Sequence, residues 1–271
     1  MDVAKEMITV AATFCKVDAI KFQKRNPKEL LTEEQYNAPH PNPANAYGDT
    51  YGAHREYLEL TLDQHKILKE WCEECGVDYS TSAWDITSAR EIASIQPNFI
   101  KIPSACNLHY EMLGYLCGEY GGEIHLSMGM TTQEEEAQVI EFFKTKGRNQ
   151  DVVVYSCTSG YPVAFEDICL YEISRLHESY AESVKAIGFS GHHLGIAADI
   201  AALALGAEWI ERHYTLDRTW KGTDHAASLE PQGLRKLVRD LHNTALALDK
   251  KKTEILEVEE TQREKLKWRS K

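Results

Sequence analysis

The sequence predicts an α/β fold, a TIM (β/α)8-type barrel with seven recognisable strands and the first strand missing. Two observations carry this reading. Seven strand-like runs are each followed by a helix-like run, the pattern of βαβ units on a parallel sheet. The last two runs close on histidines, His192 in Gly188-Phe189-Ser190-Gly191-His192 and His213 in Trp209-Ile210-Glu211-Arg212-His213. Barrels of this kind do their chemistry at the C-terminal ends of their strands, so paired imidazoles there mark a candidate divalent-metal site.

The chain opens on an amphipathic helix over 3–15, with Val3, Met7, Ile8, Ala11, Phe14 and Cys15 at helical spacing. Strands are expected at 17–23, 77–83, 99–103, 123–129, 151–157, 186–190 and 208–214. Helices are expected near 61–75, 86–95, 107–119, 131–146, 166–179 and 194–205, with a last one at 231–249. Thr61-Leu62-Asp63-Gln64 and Thr131-Thr132-Gln133-Glu134-Glu135 place capping hydroxyls ahead of polar first turns. The segment 24–60, with Pro39-His40-Pro41-Asn42-Pro43 and several tyrosines, reads as a long lid or binding loop after a strand end. An open doubly wound sheet is the alternative, but no G-x-G-x-x-G turn supports its nucleotide-binding form. The barrel domain is assigned to 1–250 and a C-terminal linker or tail to 251–271.

A net charge of −12 argues against a nucleic-acid partner or an acidic membrane surface, since both need a basic stripe. No apolar run approaches the roughly 18 residues of a membrane span, and the first residues read as a helix start rather than a secretory signal. Seven cysteines, an odd number without scaffold spacing, fit reduced thiols in a cytoplasmic enzyme. Cys72 and Cys75 form a C-x-x-C, but within the closing turns of a helix and with no second pair, so a helical reading is preferred to a metal or redox one.

Alternation along each strand sorts its residues into two faces. Ile20, Phe22, Ile100 and Ile102 would pack on the helices, leaving Lys21, Gln23 and Lys101 inward, with Ser104 just beyond. Ser80 pairs with Ser82, His125 with Ser127, Ser190 with His192, and Glu211 with His213. Lysines, hydroxyls, a glutamate and imidazoles thus converge on one mouth, which suits a phosphorylated or carboxylated anion beside a metal. Two imidazole ligands leave the metal open to water and substrate, favouring Mn²⁺, Mg²⁺ or Co²⁺ over structural zinc. His125 is read as hydrogen-bonded rather than as a ligand, and Asp224 either orients substrate or is a solvated loop carboxylate.

At these residues the chain resembles the N-acetylneuraminate (sialic acid) synthase family. The strongest block runs from His192 through Glu211-Arg212-His213 to Gly222-Thr223-Asp224-His225-Ala226-Ala227-Ser228-Leu229-Glu230-Pro231. Lys21-Phe22-Gln23-Lys24, Lys101-Ile102-Pro103-Ser104, Leu126-Ser127-Met128-Gly129-Met130 and Cys157-Thr158-Ser159-Gly160-Tyr161-Pro162 match further blocks in order. The resemblance implies a (β/α)8 barrel that condenses phosphoenolpyruvate with a 2-acetamido sugar aldehyde, typically N-acetylmannosamine, and releases phosphate by C–O cleavage. It implies that His192 and His213 hold the metal, that Lys21, Ser82, Lys101, Ser104 and Ser127 bind phosphate and carboxylate, and that Ser159 is a further substrate-binding residue. Gln23, Tyr161 and Asp224 would meet the sugar or the reacting centre, with Lys101, Glu211 and Asp224 assigned to catalysis. Ser159 stands where many members have asparagine and Gly191 where many have aspartate. The family's opening A-E-I-G-x-N-H strand and its C-terminal antifreeze-like domain, which caps the partner in family homodimers, are expected to be absent from this chain. Two other readings stand beside the synthase: a non-catalytic barrel binding phosphoenolpyruvate or an acidic sugar, and a Schiff-base aldolase using Lys21 or Lys101.

Overall fold

Continuous apolar runs such as Val152-Val153-Val154 favour a strand buried on both faces, and in the computed structural model, which describes residues 1–268, they form one. Seven strands, β1 (Ala19–Lys24), β2 (Asp78–Ala83), β3 (Phe99–Ile102), β4 (Glu123–Ser127), β5 (Val152–Cys157), β6 (Ala186–Gly191) and β7 (Trp209–Arg212), lie parallel in chain order. Each lies within two residues of its expected run. The sheet curls as a barrel does, but β1 and β7 do not pair with each other, which leaves a seam. The two strands flanking that seam are half-buried throughout, whereas β3 is buried along its whole length.

Helix α1 (Asp2–Thr9) runs into a π-helical turn, Val10–Cys15, in place of the uninterrupted α-helix expected over 3–15. The segment after β1, expected as a long lid or binding loop, holds α2 (Pro27–Leu30), α3 (Glu33–Asn37) and α4 (Tyr51–Leu58) and so forms a folded strap. Its prolines and short helices hide any long periodicity, although Thr32 and Gln35 form a reciprocal capping box on α3. Helix α5 (Leu62–Glu74) leads into β2, and α6 (Ile86–Ser94), α7 (Tyr110–Glu119), α8 (Gln133–Thr145), α9 (Tyr171–Tyr180) and α10 (Ala197–Ala204) separate the later strands. After β7 come α11 (Pro231–Ala247) and, within the expected tail, α12 (Glu257–Leu266); residues 269–271 of that tail lie outside the described residues. Capping boxes at Thr61 and Thr132 start α5 and α8 as expected.

The main core fills the layer between sheet and helices, with Ile100, Ile102, Ile124, Leu126, Val152 and Val154 fully buried. Cys15 on the π-turn packs with Leu234 and Leu237 of α11 and with Leu229, so helices lie side by side across the seam. Inside the curl, Phe99 stacks on His125 at 4.1 Å and Trp209 meets His125 edge-on at 4.6 Å, giving the barrel an aromatic floor. Gly188 makes room for this filling: a Cβ there would lie 2.7 Å from the Tyr155 ring. All seven cysteines are free, and burial pushes the Cys72 thiol up to about 12, as expected of an inert helical residue. Among the described residues no helix is long and apolar enough to cross a membrane.

Candidate active site

Register places the expected inward residues in neighbouring rows: Lys21 lies beside Ser80, Gln23 beside Ser82, Ser82 beside Lys101, and Ser190 beside Glu211. Hydrogen bonds then join them. Lys101 Nζ donates to both carboxylate oxygens of Glu211 at 2.9 Å and to Ser127 Oγ at 2.7 Å. Lys21 Nζ donates to Ser82 Oγ at 3.0 Å and stands 3.9 Å from Glu211 Oε2, spanning the seam between β1 and β7. Ser190 Oγ donates to the same glutamate at 2.9 Å. Two ammonium groups therefore share one carboxylate, and the surplus positive charge suits a bound anion in an otherwise acidic chain.

The electrostatics follow from that sharing. Burial alone would raise the Glu211 pKa, but Lys101 and then Lys21 outweigh it and hold the carboxyl well below its usual range. Burial, reinforced by Lys101 and opposed by Glu211, lowers the pKa of Lys21. Beneath this layer the Tyr155 ring faces Lys101 Nζ at 4.4 Å, and its hydroxyl meets His125 Nδ1 at 2.8 Å. Parity on β5 points Tyr155 inward, and it is a site residue that the sequence reading passed over. His125 is hydrogen-bonded, as expected.

A second cradle lies at the strand ends. Ser104 and Ser159 converge over Gly129, where an added Cβ would come within 2.6 Å of Ser104 Oγ and 2.5 Å of Ser159 Oγ. Asn107, also unforeseen, braces this turn by donating to Ser127 O at 3.0 Å and to Thr131 Oγ1 at 2.5 Å. Gln23 lies apart from the lysine network and accepts from Trp84 Nε1 at 3.1 Å.

His192 and His213 come together with ring centroids 5.2 Å apart, and Tyr161 packs against both, at 4.4 Å and 5.6 Å. His192 Nδ1 meets the Thr158 carbonyl at 3.1 Å, so its proton sits there and Nε2 is left as an acceptor. Burial lowers the pKa of both rings, that of His192 to about 4. Asp224 Oδ2 stands 3.9 Å from His213 Nδ1, at the edge of the histidine pair. Among the described residues no three His, Cys, Asp or Glu side chains converge as a preformed metal centre. Two neutral imidazoles, that of His192 with Nε2 left as an acceptor, are the donor set of an open site completed by water or substrate oxygens, and they fit a divalent ion on those terms.

Buried histidines also make stability depend on pH. Burial lowers His125 and His65 to about 4, from an ordinary 6.5. Each is neutral in the folded chain and binds a proton more readily when unfolded, so stability falls as pH drops from 6.5 towards 4. Urea unfolding at pH 7 and pH 5 should differ by roughly 2 kcal/mol for each ring. Equal stabilities would mean that these imidazoles already titrate normally in the folded protein.

Residues 7–253 match the NeuB family. The chain is 35% identical over 266 residues to human N-acetylneuraminate-9-phosphate synthase, covering 98% of this chain and 72% of that protein. It is 30% identical to an N,N'-diacetyllegionaminic acid synthase of Campylobacter jejuni, over 92% of this chain and 73% of that one. Among solved structures, the N-acetylneuraminic acid synthetase of Leptospira borgpetersenii, crystallised with citrate, superposes with a TM-score of 0.81 at 28% identity, covering 97% of this chain and 85% of that one. The match over nearly the whole barrel makes this chain an enzyme of the NeuB family of nonulosonic acid synthases.

Proposed function

We propose that the chain condenses phosphoenolpyruvate with the open-chain aldehyde of an N-acetylated amino sugar, and that a sugar carrying a 6-phosphate is its first acceptor. The observation carrying the condensation is the paired-lysine anion site, Lys21 and Lys101 about Glu211, opening beside two neutral imidazoles. Lys101, Lys21, Ser82 and Ser127 would hold the carboxylate and phosphate of phosphoenolpyruvate, with Ser104 and Ser159 closing over the phosphate. Its C3 attacks the aldehyde carbon, the carbonyl oxygen takes up a proton, water adds at C2, and phosphate leaves with the bridging oxygen. Asp224 would orient the sugar hydroxyls, and the half-exposed Tyr161 would pack on the sugar.

A Mn²⁺, Mg²⁺ or Co²⁺ ion held by His192 and His213 would supply Lewis-acid polarisation of the aldehyde. The 6-phosphate assignment rests on the human relative, whose name specifies a 9-phosphate product. Three carbons come from phosphoenolpyruvate, so position 9 of such a product is position 6 of the sugar. An imine at Lys101 is disfavoured because its ammonium protons are already donated to Glu211 and Ser127.

The test is incubation with phosphoenolpyruvate labelled with ¹⁸O at its bridging oxygen, Mn²⁺, and either N-acetylmannosamine, its 6-phosphate or a diacetamido sugar. Labelled phosphate and a nonulosonate product are expected, fastest with the 6-phosphate. Label retained in the organic product, or ligand binding without phosphate release, would refute the proposed reaction. Faster turnover of an unphosphorylated sugar would refute the acceptor alone.

A further inference from the structure

Behind the two imidazoles lies a charged cluster that the proposed reaction does not use. Arg212, one residue before His213, turns its side chain away from the barrel mouth and is 1% exposed. There it meets Asp199 of α10 and His193, both 0% exposed. Its Nη1 donates to Asp199 Oδ2 and, at 2.8 Å, to the Gly195 carbonyl, while Nη2 donates to the His193 carbonyl at 2.6 Å. His193 Nε2 lies 3.3 Å from the same Asp199 oxygen. The cluster is poorly satisfied as a stability device, because among the described residues Arg212 Nε, Asp199 Oδ1 and His193 Nδ1 have no hydrogen-bond partner. Buried ion pairs with unsatisfied atoms are weak stabilisers, and apolar replacements of similar volume often hold a fold as well or better.

What the cluster does accomplish is geometric. Arg212 is paired in register with Gly191, so one guanidinium ties the strand that leads into His213 to the 192–195 turn that carries His192. His193 fills the space against Gly191, where a Cβ would lie 2.9 Å from its ring. The His192 carbonyl accepts from Val163 N at 3.1 Å and its ring Nδ1 donates to the Thr158 carbonyl, so His192 is held at both its backbone and its ring.

We infer that Arg212, with Asp199 and His193, is a positioning device that sets the separation and facing of His192 and His213. This rests on the proposed metal role of those two rings. The three residues touch neither substrate nor ion; they act through the backbone that carries the ligands.

Two variants test it in the full chain. Arg212→Lys keeps the charge beside Asp199 but cannot reach both carbonyls through a planar fork. The double variant Arg212→Met/Asp199→Leu removes the pair without stranding a buried charge. Mn²⁺ affinity is read by electron paramagnetic resonance, folding by thermal melts, and kinetics at saturating Mn²⁺. Both variants are expected to bind Mn²⁺ about 10- to 100-fold more weakly, the range typical of lost support behind metal ligands. Melting should stay close to the parent, and kcat should recover in excess Mn²⁺. Wild-type affinity in either folded variant would overturn the inference, and if the double variant does not fold, Arg212→Lys alone decides. Should the parent chain bind no Mn²⁺, the metal reading has failed, and amide exchange over residues 192–196 then decides: faster exchange in Arg212→Lys supports the positioning role, and unchanged exchange refutes it.

Discussion

Replacing Lys101 by methionine is expected to remove turnover, by a factor of about 10³ or more, while leaving a folded protein. Lys101 is 2% exposed, and its ammonium group joins Ser127 on β4 to Glu211 on β7. Methionine keeps the length and apolar stem but deletes the charge. Glu211 then retains Lys21 at 3.9 Å and Ser190 at 2.9 Å, and its side chain is 21% exposed, so the carboxylate is not stranded. The stability loss should fall below the roughly 3–5 kcal/mol that follows breaking a fully buried pair. Phosphate release reads the first effect and urea unfolding the second. Near-normal turnover would remove Lys101 from the catalytic set, and collapse of the fold would make the pair a structural strut.

Gly129→Ala is expected to raise the KM for phosphoenolpyruvate tenfold or more. The added methyl enters the space between Ser104 and Ser159, and it also comes within 3.2 Å of the Cys157 carbonyl. The serine hydroxyls can rotate away, but the carbonyl belongs to the end of β5 and cannot. A strain of about 1–3 kcal/mol is the usual penalty for one methyl in a filled site. It falls on the cradle rather than on the core, so the melting temperature should change little. Calorimetric titration with phosphoenolpyruvate separates this from a folding defect. Unchanged binding would move the phosphate away from Gly129, towards Lys21 and Ser82.

Much of this site was legible before the fold was seen, because strand parity is a local rule. Lys21, Lys101 and Glu211 are far apart in the chain, yet each falls on the inward side of its own strand, and parallel register brings them into contact. Ser104 and Asp224 lie beyond the strand ends, where parity assigns no face and only their nearness to the mouth marks them, and Ser159 is reached through the family motif alone. Other features left no local trace. The strap over 24–60 is built from helices of four to eight residues, too short to show a period. The π-turn at Val10–Cys15 has an amphipathic pattern like any helix, and its wider winding is set by packing against α11. Parity puts Arg212 on the face opposite Glu211 and His213, but its partners Asp199 on α10 and His193 on the turn before it are brought there only by the folded chain.

The join between β2 and β3 is a single paired position, Ser82 with Lys101, whereas β1 and β2 pair along six. The β1–β2 pair is thus a wing, held to the rest of the sheet by few main-chain links and bordered on its other side by the seam. Lys21 and Ser82 stand on the wing; Lys101, Ser127 and the Gly129 cradle stand on the body. An anion gripped by both sets would act as a stitch across the thinnest part of the sheet. Substrate would then be part of the architecture while bound, lending the wing a rigidity that the backbone alone does not supply.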